Sequence, residues 1–255
     1  MSSSYAQGLL LVVVALVSTV TCAGVTAERT RVIVREGQRD TSLTLVNQNA
    51  YPVVVQAWVD NGELNVTPDT ATAPIMPLPP MFRLEPRQQR SLRLVTTGQA
   101  FAQDRESLYW LNVYEIPPRP REALGEGSTR LTITLRTQLK VIYRPQGLSK
   151  KAETAPLQLV VKAQGRTVQL HNPTPFYISL AQAQIGDGKR SIVLDAPLLT
   201  PFSTQRQTVG GNVPSDATFN YTWLDDDGNA QTGERPVLGA MPHSVEPTPE
   251  AAAAD

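Results

Sequence analysis

The stretch "LTITLRTQLKVIYRP", Leu131–Pro145, decides the fold class, because it alternates apolar and polar residues over an unusual length. Strands average about five or six residues, but this pattern runs for thirteen before Arg144-Pro145. At about 3.3 Å per residue it would span roughly 43 Å, more than a small sandwich needs. The pattern predicts a strand whose apolar face carries Leu131, Ile133, Leu135, Leu139, Val141 and Tyr143.

Further strand patterns fill the chain before this stretch. They occur in "RVIVREGQRDTSLTLVNQ", "YPVVVQAWVD", "QQRSLRLVTT" and "SLYWLNVYEI". Val32 and Val34 share one face of the first strand, and Leu43 and Leu45 share one face of the next. The Pro-rich passage "TAPIMPLPPMFRLEP" is expected to cross without regular structure. About seven short strands in roughly 115 residues are typical of an immunoglobulin-like sandwich.

A second set of strands follows "YRPQGLSKKAETAP", so we expect a second β domain. Gly165 and Asn172-Pro173 mark turns between its first three strands. The predicted fold class is all-β, with two immunoglobulin-like domains. The predicted boundaries are residues 28–145 for the first domain, 146–155 for a hinge, 156–240 for the second domain and 241–255 for a disordered tail.

The first 27 residues are typical of a cleaved signal peptide. The apolar run Leu9–Val17 is shorter than the roughly 20 residues that span a bilayer. The small residues Val25 and Ala27 predict cleavage after Ala27. Cys22 is the single cysteine and lies in this segment, so the mature chain would have no disulfide. Export without stable membrane insertion is therefore expected.

Composition and motifs weigh against several functions. The 23 basic and 23 acidic residues balance, which argues against nucleic-acid binding. The two histidines, His171 and His243, belong to no metal or catalytic motif, so we expect neither an enzyme nor a cofactor. The run Asp225-Asp226-Asp227-Gly228 lacks the spacing of a calcium loop, and a solvated turn is the better interpretation.

Three charged residues in or beside strands leave alternatives open. Arg31 and Lys140 each interrupt an aliphatic strand. They either lie on exposed faces or gather to bind an anion such as a carboxylate. Glu106, beside Arg105, either forms a surface ion pair or marks the entry to a strand that is covered on both faces.

Six motifs taken together resemble those of one family. They are "ERTRVIV", "YPVVVQAW", "RLEP", "DRESLYWLNVYEIPP", "TQLKVIYRP" and "NPTPFYI". In the same order, they are similar to motifs of periplasmic pilus chaperones, the immunoglobulin-like assembly chaperones of the chaperone–usher pathway. The resemblance extends from about Glu28 to Ala240.

The resemblance implies two domains in a boomerang arrangement, a periplasmic location, and roles for eight residues. The chaperone lends a strand, matching Leu131–Tyr143, to a pilus subunit that lacks its last strand. Leu131, Ile133 and Leu135 would enter the subunit groove. Arg31 and Lys140 would bind the C-terminal carboxylate of the subunit. A buried ion network joining the domains would contain Glu106, Arg144 and Asp226.

The expected partners are pilus subunits and an outer-membrane usher. The free protein is also expected to self-associate, because a long apolar edge invites pairing. Two alternatives remain: a secreted structural or adhesive protein with two immunoglobulin-like domains, and a module that binds a small ligand between the domains. A structural subunit would be expected to carry a donor extension at its start, where Glu28-Arg29-Thr30 offers none.

Overall fold

The computed structural model of the protein describes residues 24–118 and 133–239. Leu131, one of the predicted groove residues, lies outside them, as do most of the predicted signal peptide and the predicted tail. Within the described ranges, no helix has the length and apolarity needed to cross a membrane. Nearly all regular structure is β-strand, in two successive sandwiches.

Among the described residues, the first sandwich contains nine strands in two sheets. One sheet has the order β1-β3-β7-β5 and the other has the order β2-β9-β8-β4-β6. The strands are β1 Val25–Ala27, β2 Arg31–Arg35, β3 Thr41–Asn47, β4 Val53–Asp60, β5 Ile75–Leu78, β6 Met81–Leu84, β7 Gln89–Thr96, β8 Ser107–Ile116 and β9 Leu135–Arg144.

The core between these sheets follows the alternation in the sequence. Val32 and Val34 both pack into it, and Leu43 and Leu45 are fully buried. Leu139, Val141 and Tyr143 of β9 belong to the same core. Successive side chains of a strand point to opposite faces, so the sequence pattern alone indicates which residues meet here.

Strand β9 is shorter than predicted and begins at Leu135. It pairs with β8 as far as Leu135 opposite Glu115. Strand β8 ends one residue later at Ile116, and Pro117 and Pro118 follow it, which have no backbone N–H to continue the ladder. Ile133 and Thr134 therefore extend beyond the pairing of their own sandwich.

The expectation for the Pro-rich passage is wrong, because it forms two strands, β5 and β6. Both lie at the edge of a sheet, β5 next to β7 and β6 next to β4. An edge strand pairs on one side only, so a residue without an N–H, such as Pro77, is tolerated there.

The first sandwich also begins earlier than the predicted boundary at residue 28. Residues Val25–Ala27 form β1, which pairs with β3 through Val25 opposite Asn47 and Ala27 opposite Leu45. Val25 is buried in the core. Removal of residues 1–27 would therefore remove a strand of the sandwich.

Two short 3₁₀ helices, Gln146–Lys151 and Ala155–Gln158, connect the domains across the predicted hinge. The second of these helices contacts the second domain. There the buried Tyr221 hydroxyl donates a hydrogen bond of 2.8 Å to the Pro156 carbonyl oxygen.

The second sandwich contains eight strands, in the order β13-β12-β16-β17-β10-β11-β15, with β14 beside β12. Strand β17 joins its two layers, since it pairs antiparallel with β16 and, at its end, parallel with β10. The all-β prediction with two sandwiches is confirmed. The strands are β10 Val160–Gln164, β11 Thr167–His171, β12 Ile178–Gly186, β13 Ser191–Val193, β14 Leu198–Leu199, β15 Thr204–Thr208, β16 Thr218–Leu224 and β17 Ala230–Leu238.

Candidate functional site

Two cations lie side by side where the sandwiches meet. Arg31 begins β2 and pairs with Lys140 in the parallel register of β2 and β9. Both side chains reach the second domain. The Arg31 Nη1 donates to the Leu224 carbonyl oxygen at 3.0 Å, and the Lys140 Nζ donates to the Ser179 Oγ at 3.1 Å. The structure thus brings together two residues that are far apart in the sequence.

This cation pair lacks a counter-ion within the described parts of the chain. No carboxylate lies within 4.0 Å of either side chain there, and the buried Arg31 Nε has no hydrogen-bond partner. Burial lowers the pKa of Arg31, against the attraction of Asp226 and Asp225. Burial also lowers the pKa of Lys140, and the Arg31 charge lowers it further. Two desolvated like charges with free donors are suited to binding an anion.

A second cluster of charges ties the domains together. The Arg144 Nε donates to the Glu106 Oε1 at 2.6 Å, and its two terminal nitrogens donate to the two oxygens of Asp226 at 2.6 and 2.8 Å. The Glu106 Oε2 also accepts the Tyr177 backbone N–H at 2.8 Å. The three residues of the predicted ion network are therefore in direct contact, and Asp226 is the one of the three neighbouring aspartates that joins them.

Burial dominates the electrostatics of this network. It raises the pKa of Glu106, although the Arg144 charge and the Tyr177 N–H oppose the shift. Burial would lower the pKa of Arg144, but the bonds to Asp226 and Glu106 outweigh it and raise that pKa. The Arg144 and Glu106 side chains are almost fully buried, whereas Asp226 is 36% exposed. The charges of Arg144 and Glu106 are thus stabilised mainly by each other and very little by solvent.

The start of β9 presents an open edge and two exposed aliphatic side chains. Ile133 is 65% exposed and Leu135 is 46% exposed. Strand β2 pairs only with Lys140–Arg144. In the part of the chain that the structure describes, no strand pairs with Leu135–Leu139 on that side. The backbone groups of this edge are therefore available to another strand.

Sequence patterns did not indicate the groups that hold the cations in place. The Leu224 carbonyl oxygen that accepts from Arg31 is a backbone atom, as is the Tyr177 nitrogen that donates to Glu106, and backbone atoms leave no trace in residue type. Ser179 follows the quoted motif "NPTPFYI", but a serine in a strand is too common to mark a site. The neighbouring Asn112–Asp60 pair, bonded at 2.7 Å, was also missed.

The fold and the site define a two-domain immunoglobulin-like protein with two adjacent cations at its interdomain junction, which have no counter-ion among the described residues. The family described as "Pili and flagellar-assembly chaperone, PapD N-terminal domain" matches residues 24–149. The family described as "Pili assembly chaperone PapD, C-terminal domain" matches residues 154–235. The chain therefore belongs to the PapD family of pilus assembly chaperones, which are not enzymes.

Individual relatives agree with the family matches. Chaperone protein FimB/FhaD of Bordetella pertussis is 34% identical over 203 residues, which cover 78% of this chain and 81% of the relative. The probable fimbrial chaperone YadV of Escherichia coli is 30% identical over 223 residues, which cover 85% of this chain and 91% of the relative.

Solved structures agree as well. The CupB2 chaperone of Pseudomonas aeruginosa has a TM-score of 0.72 and 30% identity, covering 83% of this chain and all of that chain. A chain from the complex of the Salmonella enterica SafA pilin with the SafB chaperone has a TM-score of 0.69 and 26% identity. That alignment covers 86% of this chain and 99% of the other.

Proposed function

We propose that this chaperone acts in the periplasm, where it binds pilus subunits by donor-strand complementation, caps them and delivers them to an outer-membrane usher. One observation carries the proposal. A free strand edge with exposed aliphatic side chains leads along β9 to Lys140, which lies beside Arg31 of β2, and neither cation has a counter-ion among the described residues. The SafA pilin–SafB chaperone complex supports pilus subunits as the partner class.

The proposal also implies a direction for the bound strand. Leu135 lies five positions before Lys140, about 17 Å along an extended strand. In this arrangement the C-terminal carboxylate of the subunit binds Arg31 and Lys140. The strand that ends in this carboxylate lies along the open edge from Leu135 to Lys140 and therefore runs parallel to β9. The bound strand lies on the same side of β9 as β2, which pairs only with Lys140–Arg144. Strand β2 is also parallel to β9.

Each part of the site contributes a different kind of interaction. Burying Ile133 or Leu135 in a subunit groove contributes about 1.5–3 kcal/mol per side chain before ordering costs. The edge satisfies backbone groups of the subunit that would otherwise be unpaired. The cations bind the terminal carboxylate by charge-assisted hydrogen bonds and so define the register. The same edge is expected to pair with a second copy of the chain when no subunit is bound.

Co-purification from the periplasm tests the proposal. The tagged chaperone is co-expressed with a pilus subunit encoded by the same genome, and the captured subunit is quantified. We expect Ile133→Asp to reduce the captured subunit at least tenfold, because a carboxylate would enter an apolar groove. The matched control is Val193→Asp, which changes an 80% exposed strand residue in the second domain.

The cation pair is tested in the same assay. We expect Arg31→Ala and Lys140→Ala each to abolish capture, whereas Lys162→Ala, at an exposed position of β10, leaves it unchanged. Normal capture by all site variants would refute the proposal. Recovery of the chain itself in purified pilus fibres would instead favour the structural protein, since a chaperone is released before assembly.

A further inference from the structure

The start of β1 forms a buried polar cluster with Glu115 and Asn49. The Val25 backbone N–H donates to the Glu115 Oε2 at 2.7 Å, and the Asn49 side-chain amide donates to the Glu115 Oε1 at 2.7 Å. The Gly24 nitrogen donates to the Asn49 Oδ1 at 3.0 Å. Gly24 also lies against the carboxylate, since a Cβ built on it would be 3.5 Å from the Glu115 Oε2.

Glu115 lacks a cationic partner in this cluster. It is only 5% exposed, and no lysine, arginine or histidine in the described ranges lies within 4.0 Å of its carboxylate. An ionised carboxylate that is buried without a countercharge is costly, and hydrogen bonds offset only part of that cost. A positive charge beside Glu115 would therefore stabilise the cluster, and the backbone nitrogen of Gly24, which is already part of it, is where one can be supplied.

We propose that the signal peptide is cleaved between Ala23 and Gly24, and that the resulting α-ammonium group of Gly24 is the counter-ion of Glu115. Water hydrolyses the Ala23–Gly24 peptide bond. The carboxylate remains on Ala23, and the new amine of Gly24 takes up a proton at neutral pH. Thr21 and Ala23 are the small residues that a signal peptidase needs at the third and first positions before the cut. This inference rests on the export assumed in the proposed function.

One further feature supports this cleavage position over the one after Ala27. The cut keeps β1, whose Val25 is part of the core.

The cluster also supports the start of the donor strand. Leu135 is opposite Glu115 in the register of β8 and β9, and its Cδ1 lies 3.4 Å from the position of a Cβ on Gly24. Leu135 thus packs over the proposed terminus. A correctly processed chain would hold Leu135 in place, and Ile133 would extend from that fixed point.

The first test is the mass and N-terminal sequence of the chaperone purified from the periplasm. We expect a chain that begins at Gly24. A periplasmic chain that begins at Glu28 would overturn this inference and leave the proposed function intact. A precursor that stays uncleaved in the cytoplasm would overturn both.

The second test isolates the charge and does not need export. The mature chain is produced in the cytoplasm as Met-Gly24, from which the methionine is removed, and is compared with the same chain after acetylation of its terminus. We expect acetylation to lower the melting temperature at pH 7 by about 5 °C, a measurable shift for a chain of this size. In Glu115→Gln, acetylation should have almost no effect.

The pH dependence of this difference has a defined sign. A neighbouring carboxylate raises the pKa of an α-amino group above its usual value of about 7.7–8.0. The stability that the Gly24 ammonium gains from Glu115 is complete below the usual α-amino pKa. It is lost as the pH rises through the higher pKa of the folded state. Equal melting temperatures for both forms at pH 7, or the same difference in Glu115→Gln, would overturn the assignment.

Discussion

Replacing Arg144 with methionine tests the ion network between the domains most directly. The substitution keeps much of the side-chain volume but removes the charged bonds that Arg144 makes to Glu106 and Asp226, while Asp226 keeps Arg35 at 3.6 Å. Glu106 is only 2% exposed, and within the described ranges its carboxylate then keeps only the Tyr177 N–H as a hydrogen-bond partner. Breaking a buried ion pair by removing one partner costs about 3–5 kcal/mol. At pH 7.5 we expect a destabilisation of that size, measured by urea denaturation with circular dichroism.

The variant should recover stability as the pH is lowered. Burial raises the pKa of Glu106 and the Arg144 charge opposes this, so removing Arg144 raises the pKa further. A carboxyl group whose folded pKa exceeds its unfolded value, about 4.3, takes up a proton more readily in the folded state. Stability then increases as the pH falls through the folded pKa. Each pKa unit between the two states corresponds to about 1.4 kcal/mol.

Two control variants separate the charge effect from general damage. In the double variant Arg144→Met with Glu106→Gln, no carboxylate is left buried at Glu106, so most of the stability lost at pH 7.5 should return and its pH dependence should disappear. Asp226→Asn should cost only about 1 kcal/mol, because Asp226 is 36% exposed and Arg144 keeps Glu106. If Arg144→Met were equally stable at pH 5 and pH 7.5, the electrostatic explanation would be refuted.

Three further predictions concern single side chains. Lys140→Met should stabilise the free chaperone by about 0.5–1 kcal/mol in urea denaturation, because it removes a desolvated charge beside Arg31, while subunit capture is lost; a less stable free chain would contradict this. Asn112→Ala should destabilise the first domain by about 1–3 kcal/mol, because the buried Asp60 carboxylate loses its 2.7 Å hydrogen bond, and an unchanged denaturation midpoint would argue against that contact. Tyr221→Phe should cost about 1 kcal/mol through the lost bond to the linker carbonyl, measured as a shift in the second-domain transition; no shift would mean that the linker is held by packing alone.

Alternation in the sequence was sufficient to predict most of the fold, because burial on one face of a strand leaves a period of two. Val32, Val34, Leu43 and Leu45 show this in the first domain. Strands β5 and β6 were not predicted, because whether proline is tolerated depends on an edge position. That position is set by the order of strands in the sheet and leaves no local signal.

The candidate site was less accessible to sequence reasoning. Residue pattern shows that Arg31 and Lys140 interrupt apolar strands, but not that these strands pair in parallel with the two cations opposite each other. Arg31 and Lys140 were singled out because the motifs that contain them occur in the same order as in a known family. Their contacts to the Leu224 carbonyl oxygen and to Ser179 depend on how the domains pack.

Strand β9 shows why the proposed function requires two domains. Its first half, Leu135–Leu139, has an open edge that depends on the first sandwich alone. Lys140 and Arg31 are held against the second domain, and four residues further along Arg144 bonds to Asp226 of that domain. In the proposed function, the second domain would therefore fix where a terminal carboxylate binds, while the first would supply the strand. It follows that weakening the Arg144 network should leave strand addition possible but loosen its register.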